Sequence, residues 1–251
     1  MKGIGMNKFS GISVAVALLA AATLAGCPLV PTVDLQTQNF AAAGDAATSL
    51  EGKQLYFMPD SSESFYSRTV VDNITALPVS TATHTAVDFG VADPAVVTLP
   101  AGSEINFYGT SYGTIYIHSN GTVALEAGAA ANGTASGHFS LKQISLLPVD
   151  ATTAGSAVSY QVAANAVTVT FENVGGSSFQ GEFFISGATE DDIALSYPTI
   201  DAAVAAGVVG FSRGQLAGLT QEEIDLFFAN EFVGTGSDLG TTNTSSAKLG
   251  F

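Results

Sequence analysis

Short runs of alternating apolar and polar residues, separated by turn-forming residues, dominate the chain between residues 54 and 212. Residues 166–172 show this most plainly. Val167, Val169 and Phe171 alternate with Thr168 and Thr170, the period of two that puts one face of a strand on a core and the other in water. Residues 157–162 precede that run across a turn at 163–165, so the two segments predict a hairpin. Residues 54–58 and 64–71 form a second pair around the turn-rich Pro59, Asp60, Ser61 and Ser62. Residues 179–185 and 192–197 form a third, and residues 96–99 and 207–212 are further short strands. Between 114–118 and 122–125 lie Ser119, Asn120 and Gly121. An Asn-Gly pair readily takes the positive φ of a type I′ turn, which predicts a tight hairpin with Asn120 and Gly121 at its tip. Strands at this spacing predict an all-β fold, an antiparallel β-sandwich with Ig-like or jelly-roll layers, rather than βαβ units.

One segment departs from that period. Thr220 to Glu223 fit a capping box, and Ile224, Phe227 and Phe228 then share one helical face. A short C-terminal helix covering the sandwich is expected, its apolar face the alternative docking element. The domain therefore spans 45–233. A Gly/Thr/Ser-rich tail follows at 234–251, and a Thr/Gln/Ala-rich tether without period precedes it at 27–44.

The N-terminus has its own logic. Lys2 and Lys8 precede an apolar run at 14–24 that is the length of a signal-peptide core and too short to cross a bilayer as a helix. It ends in Leu24, Ala25, Gly26 and Cys27, which resembles the bacterial lipobox. The resemblance implies a signal peptide at 1–26 and a Cys27 carrying a diacylglycerol thioether and an acylated amine. Two or three acyl chains at about 0.8 kcal/mol per buried CH₂ anchor a protein stably. Pro28 stands where an Asp usually marks inner-membrane retention, so the expected location is the outer membrane or cell surface.

Charge narrows the partners. The chain carries 7 Lys plus Arg against 22 Asp plus Glu, a net −15, and loss of Lys2 and Lys8 with residues 1–26 makes it −17. With no basic cluster, binding to nucleic acid is not expected. The single Cys excludes an intramolecular disulfide framework and multi-cysteine metal sites.

Residues 107–214 resemble a domain like the nidogen extracellular domain, found in bacterial as well as matrix proteins. Phe107, Tyr108 and Gly109, then Tyr112, the strand at 115–117 and Ser119-Asn120-Gly121 follow that family's opening motif. His138-Phe139, 144–150, 167–174, Phe179-Gln180, 193–197 and 207–212 follow its later motifs in order. The resemblance implies a non-enzymatic, all-β extracellular domain. Asp150 is a single acid where the family often has a pair, so no ligand site is carried over.

Candidate chemistry is sparse. His84, His118 and His138 lie in separate segments and are expected as scattered surface residues rather than a metal site. Glu190, Asp191 and Asp192 form an acidic run. Carboxylates on a loop suit Ca²⁺, but without the Asp-x-Asp-x-Asp-Gly spacing a charged hairpin tip is the preferred reading. No cofactor beyond that Ca²⁺ candidate is suggested. There is no Gly-x-Ser-x-Gly elbow, and the absence of Trp speaks against a sugar-stacking platform. Asn73, Asn120, Asn132 and Asn243 begin glycosylation sequons, which chance explains in a Thr/Ser-rich bacterial chain. The expectation is a non-enzymatic, lipid-anchored envelope protein making adhesion, matrix or surface-assembly contacts with a protein or glycan partner. A carbohydrate-binding or polysaccharide-hydrolysing module and a structural coat subunit are the rivals.

Overall fold

Every alternating run named above becomes a strand, and the strands pair into two large antiparallel sheets. The computed structural model describes residues 33–34, 36–59, 66–185, 191–214 and 248–249. After a two-residue strand β1 (Val33–Asp34), the chain forms β2 (Thr37–Phe40), α1 (Asp45–Leu50), β3 (Lys53–Pro59) and β4 (Tyr66–Asp72). A 3-10 turn (Thr81–Thr83) leads to β5 (Thr85–Val87), β6 (Ala95–Thr98) and the ribbon β7 (Ile105–Phe107) and β8 (Thr110–Tyr112). Then come β9 (Thr114–His118), β10 (Thr122–Ala124), α2 (Ala135–Phe139) and β11 (Lys142–Ser145). The chain continues with β12 (Ala157–Val162), β13 (Ala166–Val174), β14 (Ser177–Phe184), β15 (Asp192–Thr199) and β16 (Gly207–Arg213), and β17 (Lys248–Leu249) is the last described strand.

One sheet has six strands in the order β2-β16-β11-β10-β9-β6, and the other seven in the order β4-β3-β15-β14-β13-β12-β5. All pairs within both are antiparallel. The two sheets share one apolar core, so the fold is an all-β sandwich. Phe57 of β3 meets Phe211 of β16 with ring centroids 4.5 Å apart, and the buried Tyr197 hydroxyl of β15 donates to the Leu146 carbonyl at 2.9 Å. Phe171 and Phe179 stack within the same core at 4.8 Å. Each such ring contributes roughly 1.5–3 kcal/mol by leaving water.

Three expectations are corrected. The tether predicted to run to residue 44 already carries β1 and is built into the sandwich from residue 36. Gln36, Thr37, Gln38 and Phe40 are buried, and β2 pairs with β16 from Gly210↔Thr37 to Gly207↔Phe40. The buried Arg68 donates to Gln36 Oε1 at 3.0 Å, and Gln36 Nε2 donates to the Tyr66 carbonyl at 2.6 Å, so polar bonds inside the core fix a segment whose composition looks unstructured. A side chain at Gly210 (φ +125°) would collide with the Gln36 carbonyl, which is what glycine permits there.

Second, the Thr face of β13 is not wet: Thr168 and Thr170 are buried. Gln180 Nε2 donates to Thr170 Oγ1 (2.7 Å) and to the Val79 carbonyl (3.0 Å), while Val79 N–H donates back to Gln180 Oε1 (3.0 Å). The segment before β5 thus covers this outer face, and a period-two pattern cannot show whether something lies over its polar side.

Third, the β9–β10 hairpin is not a type I′ turn. Thr122 pairs with His118, leaving three residues between them, and only Gly121 (φ +82°) takes a positive φ. The glycine closes a three-residue loop. The expected helix from Thr220, with Ile224, Phe227 and Phe228, lies outside the described residues, as does the 234–251 tail except for Lys248 and Leu249.

Candidate contact site at one end of the sandwich

The β9–β10 tip organises the loops around it. Gly121 carbonyl accepts from Leu146 N–H (2.9 Å), and Ser119 carbonyl from Ala151 N–H (2.8 Å). Asn120 Nδ2 donates to the Ala130 carbonyl at 3.0 Å, and its own carbonyl accepts from Asn132 Nδ2 at 2.7 Å. Asn132 reaches Leu147 carbonyl as well (3.3 Å), and its carbonyl accepts Val208 N–H (2.6 Å) at the start of β16. A side chain at Gly121 would collide with the Leu147 carbonyl oxygen. The predicted turn residues therefore hold three loops in one arrangement, a larger role than hairpin geometry alone.

Two of those loops, at 132–133 and 148–153, join the β13–β14 turn and the β15–β16 connection around an open cleft of about 390 Å³, with Asn132, Pro148, Val149, Asp150, Val174 and Asp201 on its walls. A second, of about 440 Å³, flanks the other side of the 150–153 loop against the turn at 88–90, and Thr153 borders both. Asp150 Oδ1 accepts from Thr152 N–H (2.9 Å) and Thr152 Oγ1 (2.6 Å). These bonds favour the carboxylate and hold Asp150 below the usual carboxyl range. Asp201 Oδ1 accepts Ala203 N–H (2.7 Å), and Asp201 N–H donates to Ser177 Oγ (3.0 Å). Loops set on rigid strands are the usual place for recognition residues.

The acidic run is placed at the opposite end of β15. Glu190 is outside the described residues. Asp191 is buried: its Oδ2 accepts Asn106 N–H at 2.7 Å and its N–H donates to the Asn106 carbonyl at 3.1 Å, tying the run to β7. Asp192, on the other face of the strand, accepts from Tyr56 Oη at 2.6 Å. The two carboxylates therefore diverge, and the Ca²⁺ candidate is not assembled from them. Burial first, and then the Asp192 hydrogen bond and charge, push the Tyr56 hydroxyl up to about 12.

Two of the three histidines are also corrected as surface groups. His138 is buried on α2, which sets its ring over Ser145 of β11, and His118 is buried at the end of β9 beside Asp93, while His84 lies half-buried beside Ser159 of β12 (3.3 Å). His138 Nδ1 bonds Ser145 Oγ at 2.8 Å. Both side chains of that pair are sealed from solvent, so this serine–histidine contact supports structure rather than attack on a substrate. Burial pushes His138 down to about 4 and lowers His118 against the pull of Asp93, whose carboxylate is 3.7 Å from Nδ1. Among the described residues no group of three or more His, Cys, Asp or Glu is placed to hold a metal ion.

Asn132 and Asp201 are the site residues that sequence reasoning missed. Asn132 stood out only as a sequon, and as a 4% exposed residue it is closed to glycosylation. Asp201 carried no motif. Leu24, Ala25, Gly26 and Cys27 lie outside the described residues. No known protein family, curated protein or solved structure matches this chain.

Proposed function

We propose that this protein is a lipid-anchored component of the bacterial cell envelope that makes non-enzymatic adhesion or assembly contacts through the loop end of its β-sandwich. The observation that carries the reading is the construction of that end. Main-chain and amide bonds from Ser119, Asn120, Gly121 and Asn132 fix two of the loops that border an open cleft, and a preformed concave surface needs little ordering on binding. The N-terminal sequence supports the anchor. From Cys27 to Gln36, where the buried segment leading into β2 begins, the chain spans at most roughly 30 Å, so a lipid on Cys27 holds the sandwich close to the bilayer. The high negative charge suits a domain kept off anionic headgroups by repulsion.

The test is to express the full chain and Cys27→Ala in a diderm bacterium. Cells are labelled with a clickable palmitate analogue, fractionated, and assayed for adhesion to immobilised extracellular proteins. The full chain should be labelled, sediment with membranes and increase adhesion; Cys27→Ala should lose all three. Undiminished labelling of Cys27→Ala defeats the anchor, and turnover of a polysaccharide panel that vanishes on changing one carboxylate defeats the non-enzymatic reading.

A further inference from the structure

The loop-end cleft presents an unusual set of free polar atoms. Asn132 is buried and its Nδ2 is occupied twice, by the Asn120 and Leu147 carbonyls, yet among the described residues nothing donates to its Oδ1. Asp150 and Asp201 each hold Oδ1 against their own loops, through Thr152 and Ala203, and their Oδ2 atoms are likewise without a donor among the described residues. All three residues border the same 390 Å³ space. The free groups are thus acceptors, two of them on acidic side chains, so the fitting occupant brings hydrogen-bond donors and positive charge.

The walls decide which cation. Pro148, Val149, Val174 and Val204 make them mostly hydrocarbon. Ca²⁺ takes six to eight oxygen ligands and gains nothing from such walls. A lysine or arginine side chain matches both parts, since its aliphatic stem covers apolar surface while the charged head reaches polar atoms. The volume suits one side chain with its flanking backbone, and the net charge of −15 draws basic groups in over distance.

We infer that the cleft bordered by Asn132, Asp150 and Asp201 is a receptor for a basic side chain, lysine or arginine, displayed by a protein partner. This rests on the contact role proposed above and names the chemistry of its partner. Bound there, the ammonium or guanidinium donates to Asp150 and Asp201 at the rim and to Asn132 Oδ1 at the depth, with the stem along Val149 and Val174.

The experiment measures fluorescence anisotropy with full-length protein in detergent and dye-labelled hexapeptides whose single central residue is Lys, Arg or norleucine. The Lys and Arg peptides should bind at least about tenfold more tightly than norleucine and weaken as salt rises. Asp150→Asn and Asp201→Asn should each reduce binding several-fold. Asp72→Asn, which makes the same charge change beside Lys53 on another surface, should leave it unchanged. Equal binding of norleucine, equal loss with Asp72→Asn, displacement of the peptides by millimolar CaCl₂ at constant ionic strength, or no binding by protein of unchanged melting temperature each overturns the inference. The adhesion assay is scored separately: adhesion that persists while the peptides fail removes this inference and leaves the contact role standing.

Discussion

Strand β15 carries aspartates at both ends, and the two ends treat them oppositely. At its start, Asp191 is buried against the backbone of Asn106 and Asp192 holds the Tyr56 hydroxyl. Just past its finish, Asp201 uses one oxygen on its own loop, and like Asp150 it borders a cleft with no donor on the other among the described residues. The residue type is the same, and what differs is the neighbouring donors. At the closed end each acid is held to another segment of the core by its donor, whereas at the loop end each carboxylate is oriented through one oxygen by its own loop and left with acceptor capacity on the other. Acids at the first end hold the fold, and acids at the second are available to a partner.

The largest effect is expected from the scaffold of the open end. Gly121→Ala places a methyl group against the Leu147 carbonyl at a positive φ, so relief requires moving the loops that line the cleft. A loss of at least about 3 kcal/mol is expected, read as a lower urea midpoint or as failure to accumulate folded protein. Wild-type stability in this variant breaks the claim that the tip organises that end.

Next comes the closed end. Asp191→Ala leaves Asn106 N–H without its carboxylate acceptor in a buried setting, which should cost about 2–3 kcal/mol. Asp191→Asn keeps an acceptor oxygen and should lose less. Chemical unfolding of both variants checks the order, and equal losses would mean that the charge rather than the hydrogen bond matters there.

Tyr56 sharpens the same end through pH. Its hydroxyl titrates at about 12 in the folded protein and near 10 when unfolded. The folded value is the higher, so this group's contribution to stability is complete below pH 10 and is lost as pH rises toward about 12. Phenolate absorbance of Asp192→Asn against Tyr56→Phe should show one tyrosine titrating earlier once the carboxylate charge is gone. An unchanged titration curve separates Tyr56 from Asp192.

These contrasts mark what the sequence makes legible. Val167, Val169 and Phe171 announce a core-facing strand because side-chain alternation is local. Gly121 announces a turn because its backbone freedom is local too. The burial of Thr168 and Thr170 depends on Gln180 bonding Val79, about a hundred residues away, and the order at Gln36 depends on Arg68. No window around either residue contains its partner. The cleft was the least legible part. Asn132, Asp150 and Asp201 come from three loops brought together by the strand order, and none has a spacing that signals the others. The acidic run at 190–192 is the conspicuous cluster in the sequence, and the structure ties its described members to different partners, Asp191 to Asn106 and Asp192 to Tyr56.

The smallest stability effect is expected where the functional effect should be greatest. Asp201→Asn keeps Oδ1 for Ala203 N–H and leaves Asp201 N–H on Ser177 Oγ, so both local bonds survive and only the charge facing the cleft is lost. A change within about 0.5 kcal/mol is therefore expected, in either direction, since one fewer carboxylate in a strongly acidic chain also relieves self-repulsion. Urea unfolding of Asp201→Asn beside Asp191→Asn makes the comparison direct, because both remove one charge from opposite ends of one strand. If Asp201→Asn unfolds as easily as Asp191→Ala, its carboxylate is holding the fold after all, and the two ends of β15 no longer differ in kind.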